Sequence, residues 1–213
     1  MDNIRLACAP NLSGIIEEII DSFYDKAVSF ELTIGDNCNV YYKEILSGKP
    51  YDIFLAADEK ITDDLFFSGL AKKSAIYAKS KLCLWSLEYN ISNLSNIKIA
   101  LPDPNSAPYG KAAFEYLENT KILNSVKENL LFGTSPFEVS RLVLDQKAQV
   151  AFLPVSFVKS VLKNDNFKVL EDGYNPVVQK GVLLLQANNK AQEFFDFLVN
   201  SKQSKQILNK FGF

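Results

Sequence analysis

Three stretches of small and polar residues each lead from a predicted strand into a predicted helix. The first is Leu6-Ala7-Cys8-Ala9-Pro10-Asn11-Leu12-Ser13-Gly14. The second, Gly35-Asp36-Asn37-Cys38-Asn39, is closed downstream by Pro50-Tyr51-Asp52-Ile53-Phe54-Leu55-Ala56-Ala57-Asp58. The third is Leu101-Pro102-Asp103-Pro104-Asn105-Ser106-Ala107-Pro108-Tyr109-Gly110. A helix start offers backbone N–H groups without intrahelical partners and a partial positive charge. Several such starts converging in one cleft make an anion site that needs no Lys or Arg. The chemistry read from these loops is capture of a small ligand. Chemistry performed on a ligand has little support. The chain carries no GxSxG elbow, P-loop or GxGxxG. Histidine is absent, which removes the commonest general base and a common metal ligand. A helix start lowers a thiol pKa, but Cys38 without His lacks the usual partner of a cysteine nucleophile. The expectation is a binding protein, not an enzyme, with no cofactor and no metal.

The elements that must position these loops alternate. Ile4–Ala9 reads as a buried strand and Leu12–Lys26 as a helix, with Ile15, Ile16, Ile19, Ile20 and Phe23 on one face and Asn11 as its N-cap. Strand Phe30–Ile34, helix Val40–Ser47 ended by Gly48, strand Ile53–Ala57 and helix Thr62–Phe67 follow. That order implies a parallel sheet with helices on its faces. Lys81–Ser86 reads as a strand that leaves this unit. Strand Ile97–Leu101, helix Ala107–Asn119, strand Leu130–Phe132, helix Pro136–Gln146 and strand Val150–Leu153 repeat the alternation. Ser135-Pro136-Phe137-Glu138 is a capping box with Pro at the first helical position. Val177–Gln186 is a long return strand. Ala191–Phe211 is a closing helix, with Phe194, Phe195, Leu198, Ile207 and Leu208 on its inner side. Two α/β units with two crossings predict a discontinuous domain, residues 1–80 plus 175–213, and an inserted one, residues 81–174. No repeat is visible at the level of sequence.

The 213 residues are 47% hydrophobic and 23% charged, ordinary for a globular chain. Net charge is −2, which argues against non-specific nucleic-acid binding. All but two of the 23 basic residues are Lys, the exceptions being Arg5 and Arg141, so bidentate Arg clamps are scarce. Cys8, Cys38 and Cys83 have no zinc-like spacing. Cys8 and Cys83 read as buried, inert thiols; a Cys8–Cys38 bridge is open but unsupported. No stretch approaches the roughly 20 apolar residues of a membrane span. The chain opens Met1-Asp2-Asn3 with no signal peptide, which fits either a cytoplasmic protein or one whose leader has been removed.

Taken in order, these landmarks resemble the periplasmic molybdate-binding proteins, the solute receptors of molybdate ABC transporters. The resemblance covers nearly the whole chain. It rests on Gly48-Lys49-Pro50 through Asp58, on Asp103-Pro104 with Pro108 and Gly110, and on Phe194-Phe195-Asp196-Phe197-Leu198 through Lys210-Phe211-Gly212-Phe213. It implies a type II periplasmic binding fold: two α/β domains joined by two hinge strands, with a ligand cleft between them. It further implies a monomer outside the cytoplasm, a small oxyanion such as molybdate or tungstate as ligand, and a membrane permease as partner. Family members hold a tetrahedral dianion with neutral donors alone. Carried over residue by residue, the family's first serine falls on Asn11 and its second on Cys38, flanked by Asn37 and Asn39. The small residue between Pro and Gly falls on Tyr109, the backbone donor of a later helix start near Pro136, and the tyrosine after the late strand on Pro154. None of the five matches in type. Asn11 and Tyr109 still carry donors, Cys38 is a poor one, and Pro136 lacks an N–H. The candidate contacts are Asn11, Cys38, Asn39, Tyr109 and Ser135, with Pro136 and Pro154 lining the site.

Blander readings stand beside these. Asn11, Asn37 and Asn39 also suit N-caps and turns, Ser106 and Ser135 suit caps, and Tyr109 suits a surface aromatic. Asp58 and Asp103 read as loop anchors to backbone N–H groups. The alternatives in function are a receptor of the same fold for another small ligand, and an intracellular effector-sensing domain. The missing helix-turn-helix counts against the second.

Overall fold

The computed structural model describes residues 2–23, 28–35, 37–88 and 94–213. Its strands are β1 (Asp2–Cys8), β2 (Val28–Ile34), β3 (Ile53–Ala56), β4 (Ala71–Ser80), β5 (Leu82–Ser86), β6 (Ile99–Pro102), β7 (Leu130–Gly133), β8 (Val150–Pro154), β9 (Phe167–Val169) and β10 (Val177–Leu184). Its α-helices are α1 (Ile16–Ser22), α2 (Cys38–Leu46), α3 (Glu59–Phe67), α4 (Pro108–Asn119), α5 (Leu123–Val126), α6 (Pro136–Leu144), α7 (Val155–Phe157), α8 (Asn189–Asn200) and α9 (Lys202–Lys210). A wider turn, Val158–Leu162, continues α7. The chain divides into two compact units, Met1–Lys79 with Val178–Phe213, and Ser80–Val177. No helix among the described residues is long and apolar enough to cross a membrane.

The first unit is built on a sheet of order β2-β1-β3-β10-β4. β1, β2 and β3 run parallel, and β10 runs antiparallel to β3. Alternation along β1 sends Ile4, Leu6 and Cys8 into one cluster with Ile15, Ile16 and Ile19, and with Phe194, Phe195 and Leu198 of α8. Each large apolar side chain buried in this way contributes about 1.5–3 kcal/mol. Gly181 of β10 permits this packing: a Cβ there would lie 2.8 Å from Leu55 and 3.0 Å from Phe195 side-chain atoms. Asp52, 2% exposed, ties the strands together. It accepts from Arg5 Nε and Nη2, both at 2.9 Å, and from the Arg5 backbone N–H at 2.8 Å. Its own N–H and carbonyl bond Arg5 and Leu184. Hydrogen bonding to this carboxylate raises the Arg5 pKa further. A bidentate pair of this kind fixes geometry as well as charge.

The second unit repeats the layout with order β7-β6-β8-β5-β9. β6, β7 and β8 are parallel, and β5 is antiparallel to β8 and β9. β6, β7 and β8 correspond in topology to β1, β2 and β3, and β5 to β10. The internal repeat is thus one of topology. Cys83 and Trp85 of β5 pack with Ala151 and Leu153 of β8 and with Val139 and Val143 of α6.

Several expectations need correction. Both sheets are mixed, because each takes a return strand antiparallel to its neighbour. The helix expected over Leu12–Lys26 is a 3-10 turn at Pro10–Leu12 followed by α1, whose start carries no side-chain cap; residues 24–26 lie outside the described residues. Asn11 is therefore inside that turn and caps no helix. The closing helix is two helices, broken at Ser201, which is extended and accepts from the Ser204 N–H at 3.0 Å. Strands β4 and β9 have no counterpart among the elements predicted from the sequence. The cysteines are free, so Cys8 and Cys38 are not bridged. Gly48, with φ +89°, follows the Ser47 cap, and the Gly48 and Lys49 N–H groups bond Ile45 and Glu44 carbonyls at 3.0 Å.

Candidate functional site

In an open α/β sheet, ligands sit beyond the carboxyl ends of the strands, where successive connections depart in opposite directions. In the first unit that point lies between β1 and β3. The chain leaving β1 goes to β2 on one side, and the chain leaving β3 goes toward β4 on the other. The segments Ala9–Leu12 and Ala57–Asp58 lie there. The Ala9 N–H donates to the Leu55 carbonyl at 2.8 Å, which closes the two strand ends together. Asn11 is 1% exposed, and its Nδ2 donates to Gln179 Oε1 of β10 at 3.0 Å. Asp58 caps α3 by accepting from the Lys60 N–H at 2.9 Å, the loop-anchor role expected of it.

Cys38 is the first residue of α2, one strand further out. Its sulfur lies within reach of the Ala57 N–H and of its own N–H. A helix start should lower a thiol pKa, but burial dominates here and pushes Cys38 up to about 12. Burial also pushes Cys8 and Cys83 up, as expected for inert thiols. The Asn37 side chain accepts from the Asn39 N–H at 2.9 Å, so Asn37 is the cap and the Asn39 N–H is committed to it. Asp36, part of this predicted loop, lies outside the described residues.

In the second unit the equivalent point lies between β6 and β8. After β6, Asp103 accepts from the Asn105 N–H at 2.9 Å, anchoring the turn as expected. α4 then starts at Pro108, with Tyr109 and Gly110 in its first turn. Gly110 is obligatory: a Cβ would lie 2.2 Å from the Pro102 carbonyl oxygen and 2.8 Å from that of Asp103. Tyr109 is 5% exposed, which overturns its reading as a surface aromatic. After β7, Ser135 Oγ accepts from the Glu138 N–H at 3.3 Å. The Glu138 carboxylate accepts from Thr134 N–H and Oγ, both at 2.7 Å, and these bonds lower its pKa. The box thus closes onto Thr134, one residue before the cap. Pro136 occupies the first position of α6, so no N–H is available there. Pro154 ends β8 opposite Leu82, whose N–H turns instead to the Tyr174 hydroxyl at 2.8 Å.

Each unit therefore gathers its candidates on one strand edge: Asn11 with Cys38 and Asn39 in the first, Tyr109 with Ser135, Pro136 and Pro154 in the second. Sequence reasoning missed Gln179, which is fully buried on β10 and holds the Asn11 amide. Among the described residues, no group of three or more His, Cys, Asp or Glu is placed to hold a metal.

This doubled α/β plan, with small polar residues at matching strand ends, is that of the type II periplasmic binding proteins. Residues 4–213 match the family model described as bacterial extracellular solute-binding protein, and the chain belongs to that family. It is 28% identical to the molybdate-binding protein ModA of Rhodobacter capsulatus, over 97% of this chain and 86% of the relative. It is 26% identical to ModA of Azotobacter vinelandii, over 99% and 89% respectively. The solved structure of the periplasmic molybdate-binding protein of Azotobacter vinelandii superposes with a TM-score of 0.84 at 23% identity, covering 98% of this chain and 97% of that one.

Proposed function

We propose that this protein is the solute-binding receptor of an ABC transporter and captures a small oxyanion of the molybdate and tungstate kind. The observation that carries the reading is the pair of matching strand edges, each lined by neutral hydrogen-bonding groups at the ligand position of an α/β sheet. The relatives named as molybdate-binding proteins supply the ligand class. In this reading the chain comprises two domains, residues 1–80 plus 175–213 and residues 81–174, each offering neutral groups to an anion at the carboxyl ends of its strands. The protein works as a monomer outside the cytoplasm and passes the anion to a membrane permease. It performs no catalysis.

The site is a rebuilt one. The Asn11 amide is engaged with Gln179, the Asn39 N–H is spent on Asn37, and Pro136 has no N–H to give. Each missing hydrogen bond to a charged ligand costs about 1.5–3 kcal/mol. These departures favour a second reading, in which the same fold takes a different small anion. Titration calorimetry with molybdate, tungstate, sulfate and phosphate separates the two. Tightest binding of molybdate or tungstate supports the first reading. Preference for sulfate or phosphate supports the second, and binding of none refutes both.

A further inference from the structure

The end of β8 carries a feature that the five family positions do not account for. Ser156 is fully buried, and its hydroxyl has no hydrogen-bond partner among the described residues. The same is true of Ser80. The two lie at the same end of one ladder. Leu82 pairs with Pro154, and the Val155 N–H donates to the Lys81 carbonyl at 3.0 Å, so the next residues outward are Ser80 and Ser156. A buried hydroxyl is ordinarily bonded. Ser80 lies just before β5 and Ser156 in the turn just after β8, and an oxygen-bearing guest at this end of the ladder would give each hydroxyl a partner.

Topology says which guest. Ser156 follows the carboxyl end of β8, and Tyr109 follows the carboxyl end of β6. These are the two adjacent parallel strands whose onward connections diverge, where a ligand of an α/β sheet is expected. Pro154, at the family's tyrosine position, brings no hydroxyl, whereas Ser156 brings one two residues later on the same edge. A serine hydroxyl donates one hydrogen bond and takes no charge, which suits a site built from neutral donors.

We propose that Ser156 is a ligand-binding residue whose hydroxyl donates to an oxygen of the bound oxyanion, with Ser80 as a second donor beside it. This rests on the oxyanion reading given above. The test is titration calorimetry with molybdate, tungstate, sulfate and phosphate on the whole chain as wild type, Ser156→Ala, Ser156→Thr and Ser80→Ala. For the best-bound anion, Ser156→Ala weakens binding about 10- to 150-fold. Ser156→Thr, which keeps the hydroxyl, recovers most of the loss, and Ser80→Ala weakens binding less. The ligand-free melting temperature of Ser156→Ala stays level or rises, since an unsatisfied buried group is removed; a structural serine would lower it. Wild-type binding with Ser156→Ala unchanged overturns this assignment alone. A wild type that binds none of the four anions overturns the assignment together with the oxyanion reading.

Discussion

Replacing Cys38 by serine should tighten oxyanion binding. The sulfur lies at the start of α2, where the Ala57 N–H and the Cys38 N–H both approach it. With its pKa pushed up to about 12, the group is a neutral thiol at pH 8, with about one molecule in ten thousand ionised. A thiol is a weak donor, so it gives little to an anion. A serine hydroxyl in the same place is a full-strength donor that gives its proton to the anion. A hydrogen bond to a charged acceptor is worth about 1.5–3 kcal/mol, or about 10- to 150-fold in affinity. The ligand-free protein bears a cost of about 1–3 kcal/mol for the buried O–H. At this chain length that lowers the melting temperature by roughly 2–4 °C per kcal/mol. Calorimetry at pH 8 with molybdate, on wild type, Cys38→Ser and Cys38→Ala, reads the effect. The gain should appear in Cys38→Ser and be absent from Cys38→Ala. Equal affinity in the two variants would refute the placing of a donor at this position.

Two further outcomes follow from the same geometry. Gly110→Ala drives a Cβ into the backbone carbonyls of Pro102 and Asp103. Such overpacking costs about 1–3 kcal/mol, so thermal unfolding should shift down, and an unchanged melting temperature would remove the argument for an obligatory glycine. The buried thiols also set an alkaline limit. Cys38 has a folded-state pKa of about 12 against an ordinary 9.0. Its contribution is therefore complete below about pH 9 and is lost as pH rises toward about 12. At pH 10.5 the loss is about 2 kcal/mol for this one group. Urea unfolding at pH 8 and 10.5 should show a fall that is smaller by that amount in Cys38→Ala.

What was legible in the sequence was local. The Ser135-Pro136 start, the Gly48 stop and the Asp58 and Asp103 anchors are settled by neighbours two to four residues away, and the structure has them as read. The α/β alternation was legible for a similar reason, since apolar strands and amphipathic helices differ in period. The break at Ser201 was hidden because the apolar spacing of α8 continues in phase through α9, from Phe194 and Leu198 to Leu208. β4 was hidden by its polar first half, Lys72-Lys73-Ser74. The site was hardest to read. The role of Asn11 depends on Gln179, 168 residues away. The burial of Tyr109 and the unsatisfied hydroxyls of Ser80 and Ser156 are properties of the folded chain, with no local pattern to announce them.

Crystals grown with tungstate, measured at a tungsten absorption edge, test the central claim most directly. The account predicts one strong anomalous peak per molecule, within about 5 Å of the Cys38 sulfur, the reach of one hydrogen bond plus the anion's own radius. A peak found only on exposed lysines, or no peak at all, would contradict an oxyanion receptor built from neutral donors.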